Sequence, residues 1–220
     1  VKEKKIVVKK ILKNQSVILK GEIKGWNFQF DGSNEEKKKS EIFLDSCITF
    51  IDTNFKNVNF SLKNMNCSDS IKFIRSKGYI NEIKINSAFQ DALAADFSNL
   101  VINKVSIENA RDDCINFKNG NYDINFLMMK NCKDRGVSAG LNANVKINNL
   151  ISDNNAVSVY AKDSSTIKLD KAMIKNTKYC SAAYRTLNTY SEGNIIINKE
   201  NFDCEANKFF LSKNFKRIYQ

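Results

Sequence analysis

The sequence predicts an all-β chain folded as a single-stranded right-handed parallel β-helix with about 22 residues per coil. Two repeating series predict it. A dipeptide of a branched apolar residue followed by Asn begins at Val58, Ile80, Ile102, Ile124 and Ile147, with Leu169-Asp170 as its sixth copy, in steps of 22, 22, 22, 23 and 22. The second series keeps a step of 22 through Asp69, Asp91, Asp113 and Arg135, and Asp112 and Asp134 are also 22 apart.

The period and the apolar pattern together select this architecture. Helical repeats need about 33 or more residues per unit. Apolar residues here alternate instead, as at Val105 with Ile107 and Ile115 with Phe117, which is typical of strands. Coils would then stack about 4.8 Å apart. The Asn side chains are expected to form a buried hydrogen-bonded ladder at corners, where Asn tolerates left-handed backbone.

Composition limits the classes of partner. The 220 residues contain no apolar run of about 18, so no transmembrane segment is expected. A net charge of +11 favours anionic partners, and abundant Lys, Asn and Ile without Pro or His suggests an AT-rich genome. No Gly-rich phosphate loop, helix-turn-helix or basic groove interleaved with aromatic residues is found, so nucleic acid is not an expected partner.

The six cysteines lack the spacing of a zinc site. Most are next to apolar residues, so they are interpreted as buried or free thiols. A bridge between neighbouring coils is possible, but the spacing does not indicate one.

One domain over 1–220 is the simplest division, because no Gly-, Ser- or Pro-rich linker interrupts the chain. Within it we predict an N-terminal cap and first coil over 1–45, regular coils over 46–178 and C-terminal coils or a cap over 179–220. Residues 1–20 fit a strand or a capping helix, 31–40 a solvated loop, and the step is expected to end after Tyr179. The chain is expected to be part of a longer protein.

The aspartate series is the candidate for chemistry. Stacked carboxylates about 5 Å apart repel one another and raise each other's pKa, so something must offset them. Nearby cations, a bound calcium ion or protons shared between catalytic carboxylates would each do so. The alternative is that the Asp side chains only cap turns and are neutralised by Arg and Lys.

Part of this series resembles the polygalacturonase-like glycoside hydrolases, which are right-handed parallel β-helices. The similarity lies in Gln90-Asp91, then Asp112-Asp113 one coil later, then Asp134-Arg135-Gly136. It implies that Asp91, Asp112 and Asp113 correspond to the catalytic carboxylates of that family. Arg135 stands where the family has His, and the family's Arg-Ile-Lys is absent, although Lys162 lies in that region.

A longer stretch resembles bacterial β-helix modules found beside spore-coat CotH-type kinase-like domains. The shared order is Asp69-Ser70-Ile71, Asp91-Ala92-Leu93, Asp113-Cys114-Ile115, Asp134-Arg135-Gly136-Val137-Ser138, Lys162-Asp163-Ser164-Ser165 and Ala183-Tyr184-Arg185. This resemblance implies the pectin-lyase-like fold more than an activity.

The sequence therefore predicts an extracytoplasmic or cell-surface module that binds anionic polysaccharide through an Asp-rich face and is a degenerate hydrolase or lyase at most. The alternative is a non-catalytic structural or adhesion solenoid. The residues expected at catalytic positions are Asp91, Asp112 and Asp113, and those expected to contact substrate are Asp69, Lys133, Asp134, Arg135, Lys162, Asp163, Tyr184 and Arg185. Calcium is the one cofactor considered.

Overall fold

The computed structural model describes residues 4–11, 17–32, 46–205, 209–211 and 218–219. The strands are β1 (Lys4–Ile11), β2 (Val17–Lys24), β3 (Trp26–Gly32), β4 (Ser46–Met65), β5 (Asp69–Ile74), β6 (Lys77–Ala88), β7 (Asp91–Ala110), β8 (Ile115–Cys132), β9 (Arg135–Asp153), β10 (Val157–Lys162), β11 (Thr166–Lys175), β12 (Tyr179–Tyr184), β13 (Asn194–Ile197), β14 (Phe202–Cys204), β15 (Phe209–Leu211) and β16 (Ile218–Tyr219). A short 3₁₀-helix spans Lys199–Asn201. No helix in these ranges is long and apolar enough to cross a membrane.

The strands form a parallel β-solenoid of about seven turns, with about 22 residues per turn, which confirms the predicted parallel β-helix. The first strand of each coil pairs in the order β4, β5, β7, β8, β9, β10, β12. The apolar member of the repeated dipeptide stacks in register, since Val58 pairs with Ile80 and Ile80 with Ile102. The chosen repeat is therefore the true register of the stack.

The core is a set of apolar columns that run along the solenoid axis. One column consists of Ile48, Ile71, Leu93, Ile115, Val137 and Val159, all fully buried. Period-2 alternation points these side chains inward and leaves their neighbours outside. Burying each such side chain contributes about 1.5–3 kcal/mol, so stacking coils is what stabilises the chain.

The Asn side chains next to these apolar residues do form the predicted ladder. The Nδ2 of Asn81 donates to the Oδ1 of Asn59 at 2.8 Å, and the Nδ2 of Asn125 donates to the Oδ1 of Asn103 at 3.1 Å. However, the ladder is half-buried to exposed rather than buried, and its members do not have positive φ. The sequence interpretation was wrong on both points, because these residues belong to strands and not to the tightest corners.

The left-handed corners occur in two other columns. One has positive φ at Asn64, Ser87, Asn109, Asn131, Asn154 and Asn176, and the other at Asp52, Arg75, Phe97, Asn119, Leu141 and Asp163. Asn adopts this conformation more readily than most residues, which explains its frequency in the first column. In the described residues these two corners with left-handed backbone recur from coil to coil, and the first column becomes important for the candidate site.

All six cysteines form disulfides: Cys47–Cys67, Cys114–Cys132 and Cys180–Cys204. The interpretation as thiols was wrong. The paired residues are 20, 18 and 24 positions apart, close to one period, so the winding of a single coil brings them together. Cys114 follows directly after Asp113, and its bridge ties this corner to the end of the same coil.

The ends of the chain agree with the sequence in part. The first described segment, β1, is a strand and not a helix, and it pairs with β3. Most of the predicted loop over 31–40 lies outside the described residues. The step continues one strand further than predicted, because Val157 pairs with Tyr179 and Lys162 with Tyr184. The next pairings, such as Thr166 with Asn194, are more widely spaced in the sequence than one regular period.

Candidate functional site

The aspartate series stacks on one edge of the sheet face formed by β5, β7, β8 and β9. Asp69 pairs in register with Asp91, and the carboxylate of Asp91 accepts a hydrogen bond from the backbone N–H of Asp113 at 3.0 Å. The carboxylate of Asp113 in turn accepts one from the backbone N–H of Arg135 at 3.0 Å. Each of these two side chains therefore satisfies a backbone donor of the next coil, where the ladder of strand hydrogen bonds is interrupted.

The remaining oxygens of Asp91 and Asp113 also have partners. The Oδ2 of Asp91 accepts from the amide of Asn116 at 2.9 Å, and the Oδ2 of Asp113 lies 3.4 Å from a guanidinium nitrogen of Arg135. Asp91 is 9% exposed and Asp113 is 2% exposed. These two carboxyl groups are thus buried with a donor on every oxygen, as turn-capping groups are.

Burial changes the acidity of the stacked carboxyl groups. Burial, with the negative charge of Asp69 adding to it, raises the pKa of Asp91 to about 6, although the hydrogen bond from Asn116 opposes the rise. Burial and then the charge of Asp91 raise the pKa of Asp113 to about 7, against the opposing effect of Arg135. The repulsion expected from the sequence is present, and at neutral pH Asp113 is partly protonated.

Asp112 completes a group of three carboxyl groups, in which one oxygen from each residue lies within 4.8 Å of the others. The structure therefore brings Asp91, Asp112 and Asp113 together as expected. Oxygen ligands at this separation suit a hard cation, although Asp91 and Asp113 already accept hydrogen bonds. Calcium binding stays a prediction, and comparing the unfolding temperature with calcium and with chelator would test it.

The other expected contact residues do not form one site. Asp69 is bound by Lys72 at 3.4 Å, and Asp134 by Arg135 at 3.1 Å. Asp163 is 1% exposed. Its burial acts to raise the pKa, but hydrogen bonds from Thr186 and from the Leu187 backbone outweigh that and lower it.

A packed cluster of rings and cations continues the same face above Arg135. The guanidinium of Arg135 lies 4.4 Å from the centre of the Tyr160 ring, and the ring of Tyr184 lies 5.5 Å from Tyr160. The ammonium of Lys162 lies 5.9 Å from the same ring. Tyr160 is only 9% exposed, so its ring is covered rather than offered to a ligand. Sequence reasoning missed Tyr160, because the small residues Ser138 and Ala182 occupy the equivalent positions of the coils on either side. Arg185, one residue beyond Tyr184, is exposed.

Lys133 lies in a different place, a groove along the corner just before the aspartates. We call this the corner groove; it has a volume of about 610 Å³, and its lining includes Asn109, Arg111, Asn131, Lys133, Asn154 and Lys178. The three ionisable side chains among its lining residues are all cations, and all three are exposed. Within the described residues none of the three forms an ion pair.

An amide ladder forms the wall of the corner groove. The Nδ2 of Asn131 donates to the Oδ1 of Asn109 at 2.9 Å, and the Nδ2 of Asn154 donates to the Oδ1 of Asn131 at 2.7 Å. Each amide has two N–H donors and two acceptor lone pairs, so a single-file ladder leaves half of them for a ligand or water. The regular steps between these Asn residues are visible in the sequence, but only the Ile-Asn series was recognised there.

Comparisons with known proteins give no match, whether the chain is compared with protein families, with curated proteins or with solved structures. The two family resemblances therefore stay expectations, and the argument for function depends on the geometry of this chain.

Proposed function

We propose that this solenoid binds an acidic polysaccharide in the corner groove and does not cleave it. The observation that carries the proposal is that Arg111, Lys133 and Lys178 line one groove without a carboxylate among its lining residues. Like charges placed together repel one another, and an anionic ligand would relieve that repulsion. The net charge of +11 adds a favourable long-range field.

Two features favour a glycan over nucleic acid. The amide wall suits hydroxyl groups, which both donate and accept hydrogen bonds. Single-stranded nucleic acid is usually held by exposed aromatic rings on which bases stack. The rings beside these cations are half-buried, with Arg111 over Phe89 at 5.1 Å and Lys178 over Tyr179 at 5.4 Å. The three disulfides are consistent with an oxidising, extracytoplasmic location, where such glycans occur.

The proposal moves the contact surface from the Asp-rich face to the neighbouring corner. The oxygens of Asp91 and Asp113 are already occupied by donors of this chain.

The test is retention on immobilised polygalacturonate at increasing salt concentration. The variant Arg111→Gln/Lys133→Gln/Lys178→Gln should lose retention. A control variant, Lys77→Gln/Lys84→Gln/Lys171→Gln, removes the same charge from exposed sites outside the groove and should keep most of it. Equal losses of retention in the two variants would show that net charge alone explains binding, and would reject the corner groove as the binding site.

Two further measurements complete the test. New reducing ends should not appear, and their appearance in wild type but not in Asp113→Asn would make the protein a hydrolase. An oligonucleotide of equal charge concentration should compete no better than soluble polygalacturonate, and stronger competition would reject the glycan.

The second candidate is a structural or adhesion solenoid without a ligand in the groove. It is favoured by Asp91 and Asp113, whose hydrogen bonds to the next coil are turn chemistry. Absence of wild-type retention on every acidic glycan tested would select this candidate.

A further inference from the structure

The cations of the corner groove belong to one row that runs along the solenoid axis. The row is Phe89, Arg111, Lys133, Ala156 and Lys178, in sequence steps of 22, 22, 23 and 22. The backbone confirms that the lower members of the row, Arg111 and Lys133, stack. The N–H of Arg111 donates to the carbonyl of Ala88 at 3.2 Å, and the N–H of Lys133 donates to the carbonyl of Ala110 at 3.0 Å.

The same stacking continues through the upper part of the row. The N–H of Lys178 donates to the carbonyl of Asn155 at 3.4 Å, and the N–H of Tyr179 donates to that of Ala156 at 3.0 Å. Arg111 and Lys133 are therefore about one strand spacing apart, ~4.8 Å, and so are Ala156 and Lys178. Between these two pairs the corner is one residue shorter, because Asn154 stacks on Asn131 and Val157 pairs with Arg135, so Ala156 lies at the level of Lys133 and Asp134. Arg111 and Lys133 are neighbours, whereas Lys133 and Lys178 are separated by the coil that contributes Ala156.

We infer, on the basis of the proposed function, that the acidic glycan lies parallel to the solenoid axis with about one charged sugar per coil, and that Ala156 is a gap in its charge row. A chain crossing the groove at right angles would meet one coil and therefore one cation. A chain along the axis meets Arg111, Lys133 and Lys178 together and follows the amide ladder of Asn109, Asn131 and Asn154.

The ends of the row support this direction. At the lower end Phe89 occupies the position of a cation, and Arg111 packs over its ring at 5.1 Å, so charged contacts begin with Arg111. At the upper end Lys178 lies over Tyr179 at 5.4 Å. Between them Ala156 lines the groove and is half-buried. A longer side chain at this position would therefore lie in the row between Lys133 and Lys178.

The inference predicts a gain of binding. Ala156→Lys should complete a row of four cations and strengthen binding to polygalacturonate by up to about fivefold, the effect of one exposed ion pair. The midpoint of retention against salt should also rise. Ser61→Lys adds the same charge at an exposed position of β4 outside the groove and is the matched control.

Chain length gives the second measurement. Affinity for oligogalacturonates of increasing length should rise until the oligomer spans Arg111 to Lys178, four positions of the row, and then level off. The gain from Ala156→Lys should be seen with oligomers long enough to pass Lys133 and should be absent with the shortest.

The outcomes separate this inference from the proposed function. Equal gains for Ala156→Lys and Ser61→Lys, or affinity independent of length, would overturn the axial arrangement while the groove remained the binding site. Failure of wild type to bind any acidic glycan would overturn both. The comparison requires that Ala156→Lys has the same unfolding midpoint as wild type. If Ala156→Lys is unstable, Lys178→Gln provides the test instead, because it should flatten the dependence of affinity on oligomer length.

Discussion

Two columns of stacked charges lie side by side on the same coils. The carboxylate column is paired within the chain, whereas the cation column is open to solvent. In the sequence Arg111-Asp112-Asp113 the cation and the stacked carboxylate are two residues apart. The cation recurs as Lys133 one coil later, and the carboxylate has Asp91 one coil earlier. Asp113 is 2% exposed, and its oxygens accept hydrogen bonds from Arg135. Arg111 is exposed and lines a groove without an ion pair in the described part of the chain.

The difference shows that charge stacking alone does not indicate function. A repeat of fixed length places every side chain over its equivalent, so any charged position becomes a column of like charge. The carboxylate column and the cation column differ in whether the chain itself supplies hydrogen-bonding or ion-pair partners. The carboxylates have backbone and side-chain donors and are part of the folded structure, whereas the cations retain their capacity to bind another molecule.

The largest expected effect is on the carboxylate side. Asp113→Ala should lower the free energy of unfolding by about 1–3 kcal/mol, because it leaves the half-buried N–H of Arg135 without its acceptor. Denaturant unfolding at pH 5, where the wild-type carboxyl group is protonated, isolates this loss. Lys133→Ala should stay within about 0.5 kcal/mol of wild type. A similar loss of unfolding free energy in Asp113→Ala and Lys133→Ala would contradict the distinction between the carboxylate column and the cation column.

The pH dependence of stability should be of similar size. The folded-state pKa of Asp91 is raised to about 6 and that of Asp113 to about 7, from 3.8. The folded protein therefore holds more protons than the unfolded chain between these values, and stability falls as pH rises through them. From pH 5 to pH 8 we expect a loss of up to about 4 kcal/mol, the larger part of it from Asp113.

Asp113→Asn sharpens this measurement, because it keeps the acceptor oxygen and removes the titration. The variant should be more stable than wild type at pH 8 and close to it at pH 4. If wild type and variant show the same slope of unfolding free energy against pH, Asp113 does not titrate as its burial implies.

A smaller effect is expected from a single cation. Lys133→Gln should weaken binding to polygalacturonate by about two- to fivefold, which corresponds to an exposed ion pair of up to about 1 kcal/mol. The salt dependence should become shallower, and the melting temperature should not change. A lower melting temperature would place Lys133 with the structural residues of the neighbouring corner.

The smallest effect on stability is expected in the Asn ladder that contains Asn103 and Asn125. Asn125→Leu should cost about 0.5 kcal/mol, less than the loss of a buried hydrogen-bonding group, because Asn125 is exposed and water can replace its hydrogen bond to Asn103. Thermal unfolding measures the difference. A cost as large as that of Asp113→Ala would show that exposed ladders stabilise the coil as strongly as the buried carboxylates do.

The sequence by itself determined the period, the parallel stack and the positions that share a column. The reason is physical: stacking is the only way for coils of this length to bury their apolar faces, so Val58, Ile80 and Ile102 record the register directly. The same logic predicts from the sequence that Asp91, Asp112 and Asp113 lie together, as they do in the structure.

Tertiary structure alone decided which members of a column are buried, which are paired and which remain open. The disulfides of Cys47, Cys114 and Cys180 form where a single coil closes on itself. The spacing of the cysteines in the sequence does not match the repeat, so the repeat did not predict these pairs. The burial of Asp113 and the exposure of Lys133 depend on the direction each corner turns. A repeat in sequence specifies what lies above and below a residue, but its neighbours around the coil, and with them its access to solvent, are set only when the chain winds into three dimensions.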